Sequence, residues 1–454
     1  MVNFELTREY IENLRSLIAG KDEESISALL EELHPADIAE IYEELTIDEA
    51  KFLYFLMDDD TAADVLTELE EDDRKKFLGS LPSEVIAKRF IDKMDSDDAA
   101  DILGELDDDR QQEVLSHIED VSTAGDIADL LTYDEDTAGG LMAKELIKVK
   151  ENWTIPTCLR SMRRQAEEVD EVYYVYVVDS DGILKGTLSL KRMLLSPVDI
   201  TVKDIYNEDV ISVKVDVESE EVSNIMDKYD LVALPVIDPV GRLVGRITID
   251  DVVDVMREEA EKDYQLASGI TEDVELSDSV WIHTRARIPW LFIGLVGGIF
   301  GSRVVGGFES IIDMHPQLSF FMGLIAAMGG NVGMQSSAII VQSLASGSLG
   351  LDTTWGKLLK ELLIALMNAT ILSLLIFTYN KIDGAGIALT ATVSAALFSV
   401  VVFASLFGTF APLLLNRLKI DPAVATGPFV TTLNDIIGMF IYFKIAQLLF
   451  ALLY

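Results

Sequence analysis

Val175-Tyr176-Val177-Val178-Asp179-Ser180-Asp181-Gly182-Ile183-Leu184-Lys185-Gly186 reads as a strand, a tight turn and the start of a second strand. Fifty-nine residues later the design returns, with Asp179, Gly182, Leu184 and Gly186 matched by Asp238, Gly241, Leu243 and Gly245. Each copy continues into a strand (Thr187 to Leu190; Arg246 to Ile249) and then a helix. The period-two pattern predicts that the first strand begins at Val172 and runs through Tyr173 and Tyr174 to Val178. The Asp179–Gly182 turn is not a calcium loop: its glycine is fourth rather than sixth, and no glutamate follows at the right distance. The middle of the chain is therefore a tandem duplication of an α+β module.

Two such modules, over residues 141–200 and 201–258, resemble the paired cystathionine β-synthase (CBS) domain. That resemblance implies a sensor of small ligands, often adenine nucleotides, and leaves ATP binding open. Arg246 and the Tyr173–Tyr176 strand are available to a nucleotide, and core or surface roles explain them equally well.

Upstream, residues 1–140 carry helical periodicity and a recurring phrase. Ala62-Ala63-Asp64-Val65-Leu66 through Leu69 returns as Ala99-Ala100-Asp101-Ile102-Leu103 through Leu106, with a looser copy from Ala36-Asp37-Ile38 to Leu45. Apolar residues at i, i+3 and i+4, with Asp and Glu between them, predict short amphipathic helices stacked as an all-α superhelical repeat. Downstream, an acidic helix runs from Asp250 past Asp254, Glu258, Glu259 and Glu261 to Asp263, within a connecting segment assigned to 259–285.

Charge divides the chain in two. Of 78 acidic and 36 basic residues, only 7 and 8 fall in 286–454, so the first 285 residues hold 71 and 28. A front half this acidic repels phosphate backbones, which excludes nucleic acid as a partner. One cysteine, Cys158, and four scattered histidines exclude an intramolecular disulfide, structural zinc and iron–sulfur clusters. The opening Met1-Val2-Asn3-Phe4-Glu5 lacks a basic region followed by an apolar run, which predicts that no cleaved signal exports the front half.

The back half, 286–454, predicts an all-α membrane domain of five helices near 288–308, 317–344, 358–379, 386–415 and 423–453, each long enough to cross a lipid core of about 30 Å. Arg285 and Arg287 flank the first, Lys357 and Lys360 open the third, and Arg417 and Lys419 lie between the last two. The bias of positive charge to the inside predicts a cytoplasmic amino terminus and Tyr454 outside, in the inner or plasma membrane.

A carboxylate inside a span costs roughly 3 kcal/mol or more by insertion scales, so Asp435 reads as functional. It closes the run Gly427-Pro428-Phe429-Val430-Thr431-Thr432-Leu433-Asn434-Asp435, about twelve residues into the last span, with Lys444 more than two turns further on. Gly427, Thr431 and Asp435 at i, i+4 and i+8 predict an oxygen stripe on one helix face. The second span has its own polar interruption, Gly329-Gly330-Asn331-Val332-Gly333-Met334-Gln335, in which Asn331 and Gln335 share a face. Glycines Gly294, Gly297 and Gly298 of the first span read as helix-packing devices. Oxygen ligands without sulfur or imidazole favour Mg²⁺.

Gly-Gly-Asn331-x-Gly-x-Gln335, Asp421-Pro422-Ala423 and Thr431-Thr432-x-x-Asp435, behind a CBS pair and an acidic helical repeat, resemble the MgtE family of magnesium transport proteins over essentially the whole chain. The resemblance implies a homodimer in the lipid bilayer, with a pore on the dimer axis lined by the second and fifth spans. It implies that Asp435 binds hydrated Mg²⁺, with Asn331, Gly427 and Thr431 as neighbours; Gly427 stands where some relatives have asparagine. It further implies a compact, Mg²⁺-loaded closed state. Its regulatory positions are Asp97 and Asp101 in the helical domain, Glu218 and Asp230 in the second CBS module, Asp251, Asp254 and Glu259 on the connecting helix, and Asp421 in the last cytoplasmic loop. Lys262 occupies a place where relatives can be acidic.

The expected function is thus a Mg²⁺ channel admitting Mg²⁺ down its gradient and shut by cytosolic Mg²⁺. It is not an enzyme, and no GxxxxGK[ST] motif is present to couple ATP hydrolysis. The competing readings are an exporter or exchanger of Co²⁺ or Mn²⁺ and a membrane-anchored sensor that conducts nothing.

Overall fold

The computed structural model describes residues 6–166, 169, 172–271, 274, 278–345, 354–425 and 427–453. Parts of the connecting segment (272, 273 and 275–277), and Tyr454, whose outward placement is expected above, lie outside them. The chain forms two compact units, Met1–Arg257 and Glu258–Tyr454.

The first unit opens with short helices: α1 (Arg8–Gly20), α2 (Glu23–Leu30), α3 (Pro35–Glu43), α4 (Ile47–Tyr54), α5 (Asp59–Thr67), α6 (Glu71–Gly79), α7 (Ser83–Arg89), α8 (Ser96–Gly104), α9 (Asp108–Leu115) and α10 (Val121–Leu130). The repeated phrase sets equivalent residues inward: Ala62, Ala63, Val65 and Leu66 of α5 and Ala99, Ala100, Ile102 and Leu103 of α8 are all buried. Helices this short leave many carbonyls unpaired at their ends. Arginines from later helices supply the donors. Arg89 bonds the carbonyls of Tyr54 and Met57 at 2.8 and 2.7 Å. Arg74 takes those of Thr67 and Leu69, each at 3.1 Å, and Arg110 takes those of Leu78 and Leu81. Three arginines of this acidic domain are thus spent on helix C-termini, where the helix dipole also favours positive charge.

The CBS modules follow as β1 (Ile147–Lys150), α11 (Ile155–Gln165), β2 (Val175–Val178), β3 (Leu184–Leu188) and α12 (Leu190–Leu195), then β4 (Val213–Lys214), α13 (Ser219–Tyr229), β5 (Ala233–Ile237) and β6 (Leu243–Thr248). Each sheet has a parallel pair, β1–β2 or β4–β5, and an antiparallel one, β2–β3 or β5–β6, with a register shift at the same place in both copies. The repeated turns have one design. Asp179 Oδ1 accepts from the N–H groups of Asp181 and Ile183 (2.9 and 3.0 Å), and Asp238 Oδ1 from those of Val240 and Arg242 (3.0 and 2.8 Å). Gly182 and Gly241 take φ of +84° and +92°, which favours glycine. The two turns bond each other, Leu184 N–H to Gly241 O at 3.0 Å and Leu243 N–H to Gly182 O at 3.1 Å. One expectation is corrected: β2 starts at Val175, so Tyr173 and Tyr174 precede the strand.

α14 (Ile249–Ser268) begins in the first unit and ends in the second. It is one continuous helix that follows β6 directly. The second unit continues with α15 (Val280–Gly306), α16 (Glu309–Met314), α17 (Met322–Ala345), α18 (Thr354–Ile382), α19 (Ile387–Arg417) and α20 (Pro428–Leu453). Among the described residues, five helical stretches are long and apolar enough to span a membrane: α15, Pro316–Leu344, Gly356–Ile382, α19 and Pro428–Leu452. α19 is the most enclosed, with Ala396, Val400, Val401, Ala404, Ser405 and Gly408 among its buried residues. Of the first-span glycines, Gly297 meets Thr432 of α20, as a packing glycine should, whereas Gly294 and Gly298 face open space.

Candidate ion path and acidic cluster

Asp435 is the eighth residue of α20, nearer the start of the helix than the twelve residues read from sequence, because α20 begins at Pro428 and the preceding Pro422–Ala425 forms a separate 3-10 turn. Gly427 accordingly lies outside the helix. Its carbonyl accepts the first helical bond, from Thr431 N–H at 3.2 Å, and its φ is +56°. Thr431 Oγ1 also turns back to Gly427 O, at 2.9 Å. The expected three-residue face is therefore two side chains above a backbone cap.

Asp435 packs over a glycine of the neighbouring helix. A methyl on Gly330 would lie 3.5 Å from Asp435 Oδ1 and 3.6 Å from Thr431 Cγ2. Gly333, one turn on, leaves room for Asn434 and Val430. The glycine interruption thus lets α17 and α20 approach closely with Asp435 at the seam. Asn331, Gln335 and Asp435 are all exposed in the single chain, and Thr431 is half-buried. Among the described residues no hydrogen bond or ion pair engages Asn331 or Asp435.

A second membrane carboxylate escaped the sequence reading. Glu361, the eighth residue of α18, accepts hydrogen bonds from Ser336 of α17 and Ser405 of α19. Its proximity to Lys357 and Lys360 masked it as part of a polar flank.

In the first unit the structure gathers Asp97, Asp101 and Asp251 into one electrostatic neighbourhood, with Asp98 added. The start of α8 brings up Asp95, Asp97 and Asp98, and the start of α14 brings Asp251. Asp251 is shaped by its cap: one carboxylate oxygen accepts from Thr248 N–H and Oγ1, at 3.1 and 2.6 Å. Burial, then the charge of Asp251, pushes Asp97 well above the ordinary carboxylate range. The same two causes push Asp98 up to about 7. Burial, then Glu135 and Asp251, does so for Asp101, with Arg74 opposing. The side chains of Asp98 and Asp101 keep access to solvent, so their shifts weigh less on stability than enclosed carboxylates would.

Asp95, Asp97 and Glu145 bring three carboxylate oxygens within 4.8 Å of one another, a set suited to a hard cation. Ser96 braces Glu145 at 2.7 Å and receives Lys144 N–H at 2.8 Å. Asp95, Asp98 and Glu145 were missed from sequence. A signal existed for Asp98: laying the second copy of the repeat on the first sets Asp98 against Thr61, and Asp95 against Asp58, which caps α5 through Thr61 N–H at 2.9 Å. Asp95 makes no such cap. It faces Arg246, 3.8 Å away.

Other expected regulatory residues stand apart. Glu218 and Asp230 are exposed at the two ends of α13, and no hydrogen bond or ion pair among the described residues joins them to the cluster. Asp254, exposed one turn beyond Asp251, is the exception: after burial and Asp250, its charge also raises the Asp251 carboxyl. In the second unit Lys262 lies 3.1 Å from Glu259, offsetting its charge, and Asp421 Oδ1 accepts Ala423 N–H at 2.8 Å. Arg246, considered for a nucleotide, is buried with its guanidinium 5.6 Å from the Tyr173 ring centre.

Three protein families match this chain: MgtE, described as a divalent cation transporter, over 322–445; the MgtE intracellular N domain over 33–136; and the CBS domain over 138–198 and 202–258. A magnesium transporter MgtE of Thermus thermophilus is 34% identical over 443 residues, covering 96% of this chain and 98% of the relative. Its counterpart in Bacillus subtilis is 30% identical, covering 92% of each. The crystallised cytosolic domain of the Mg²⁺ channel MgtE in complex with ATP is 35% identical and superposes with a TM-score of 0.51, over 54% of this chain and 99% of that structure.

Proposed function

The chain belongs to the MgtE family of non-enzymatic magnesium transporters, multi-pass membrane proteins with cytosolic amino-terminal domains, and from that premise we propose that it is a homodimeric channel. Mg²⁺ enters down its electrochemical gradient along α17 and α20, and Mg²⁺ bound to the cytosolic carboxylates closes the path.

The observation that carries this reading is the exposure of Asp435 beside Gly330 on membrane-spanning helices. A carboxylate facing lipid is costly, so this face is better covered by a second copy enclosing water. Two Asp435 side chains then present two negative charges to one divalent ion. Mg²⁺ sheds its water reluctantly, which suits a path that holds the hydrated ion through oxygen acceptors on Asp435, Asn331 and Thr431. A second exposed surface also favours pairing: Leu194, Leu195 and Val198, by the end of α12, are 72%, 78% and 71% exposed.

The acidic cluster supports closure by Mg²⁺. Carboxylates crowded around α8 and the start of α14 repel one another, and a divalent cation relieves that repulsion best when the two elements stay together. Glu218, Asp230, Asp254, Glu259 and Asp421 complete the proposed regulatory set. ATP is a further candidate ligand of the CBS pair, since a relative's cytosolic domain was crystallised with it. Arg246 is committed to Tyr173 and Asp95, so other residues would hold the nucleotide here.

Mg²⁺ flux into liposomes at low internal Mg²⁺ tests the reading. Wild-type flux that disappears in a folded, dimeric Asp435→Ala variant supports it. Equal flux in both moves the site elsewhere, and no flux in either, with orientation verified, favours the non-conducting sensor.

A further inference from the structure

Three helices of the membrane domain meet at one carboxylate oxygen. Ser336 Oγ of α17 donates to Glu361 Oε1 of α18 at 2.7 Å, Ser405 of α19 donates to the same oxygen, and the two hydroxyls lie 3.1 Å apart. Ser336 and Ser405 are 6% and 2% exposed. Among the described residues no ion pair neutralises Glu361, so a carboxylate in a spanning helix is held by hydroxyls alone.

The consequence lies in α17. Its buried face carries Gly329, Gly330, Gly333, Ser336 and Ser337, while Asn331, Gln335 and Ala338 are exposed. At about 100° per residue, Ser336 sits roughly 140° round the helix from Asn331 and about 100° from Gln335. The glycine seam is smooth. Gly333 presents only backbone to Asn434 and Val430, and Gly408 of α19 approaches the Gly333 backbone itself. Such a seam allows close approach but has no side chain to key the rotation of one helix against another. The directional bond from Ser336 to Glu361 supplies that key.

We propose that Glu361 is a positioning residue of the ion path: it fixes the rotation of α17 about its own axis, and with it the aim of Asn331 and Gln335 at the passing hydrated ion. This rests on the reading of α17 and α20 as walls of the path. The carboxylate does not itself touch the ion. Its partner Ser336 transmits the constraint, and Ser405 holds the carboxylate still.

The test is flux of Mg²⁺, Co²⁺ and Ca²⁺ into liposomes by full-length protein, with assembly checked by size-exclusion chromatography. Glu361→Ala should lower saturating Mg²⁺ flux by about tenfold or more, as displacement of positioned groups does. It should also lower the ratio of Mg²⁺ to Ca²⁺ flux, which a change in the number of folded channels would leave alone. Glu361→Gln keeps an oxygen that both hydroxyls can reach and should restore the ratio. Ser336→Ala should reproduce the loss, and it decides alone if Glu361→Ala fails to assemble. Wild-type ratios in Glu361→Ala or Ser336→Ala overturn the proposal, as does a Glu361→Gln variant as damaged as the alanine, which would make charge rather than hydrogen bonding the agent. Asp435→Ala runs alongside: if it keeps its flux, the path itself is misplaced, whereas loss there with normal Glu361→Ala overturns the positioning role only.

Discussion

The carbonyl oxygen of Ala267, in the last turn of α14, occupies the space where a side chain on Gly427 would begin. Next to it, Gly269, at φ +83°, leaves room for Pro428, the first residue of α20; a methyl there would meet Pro428 Cγ at 2.8 Å. The end of the acidic helix therefore rests directly on the foot of the helix that carries Asp435.

Gly427→Ala should break this joint. The new methyl collides with backbone, which cannot swing aside, and φ of +56° costs alanine further. The expected loss is about 1–3 kcal/mol of stability, with α14 freed from α20. Thermal unfolding in detergent and protease cleavage after α14 measure the two effects. An unchanged midpoint together with unchanged cleavage would show that α14 rests elsewhere.

The α17 seam makes a graded prediction. A methyl on Gly408 meets the backbone of Gly333, whereas one on Gly333 meets first the end of the Asn434 side chain, which can rotate. Gly408→Ala should therefore be the worse, near the upper end of the roughly 1–3 kcal/mol typical of overpacking. Gly333→Ala should cost less, and Gly294→Ala, with nothing within 4 Å, should be silent. Unfolding midpoints of the three variants rank them, and the reverse order would contradict the packing.

How much of this was legible in the sequence depends on the kind of signal. Asp435 stood out because charge is costly in an apolar run, and the Asp179–Gly182 turn because it recurs at Asp238–Gly241 with its glycines forced to positive φ. The start of β2 was misread because Tyr173 and Tyr174 continue the period-two pattern, yet Tyr173 packs against Arg246 instead. Glu361 hid in a helix flanked by lysines, where one carboxylate looks like surface; only the arrival of Ser336 and Ser405 from other helices shows its use. Glu145 is likewise invisible to spacing, because it meets Asp97 across 48 residues of chain.

The proposed closure by Mg²⁺ predicts a separation of function. Replacing Asp251, Asp254 and Glu259 with alanine removes three carboxylates from α14 and none from the membrane helices. Flux at low cytosolic Mg²⁺ should be unchanged, while the Mg²⁺ needed to suppress it should rise. Patch recordings at stepped cytosolic Mg²⁺ read both quantities, and unchanged suppression in the triple variant would remove these residues from the sensor.

Proton binding offers a second view of the same cluster. Ordinary carboxylates titrate near pH 4, yet Asp98 and Asp101 are pushed up to about 7 in the folded chain. A group that holds its proton more tightly when folded stabilises the fold at low pH and loses that contribution as pH rises through its folded pKa. Between about pH 4 and 7 the folded chain then carries on the order of one to two extra protons from these residues. With chelator present, stability should fall as pH rises from 5.5, most steeply below 7, and level off above it. Mg²⁺ replaces the protons as counter-charge, so saturating Mg²⁺ should flatten the slope, and its stabilising effect should grow with pH. Asp98→Asn with Asp101→Asn should flatten the slope without Mg²⁺. Melting curves of the full chain across this range measure all three, and a metal-free midpoint that climbs through pH 7 would mean that these carboxylates are not crowded in solution.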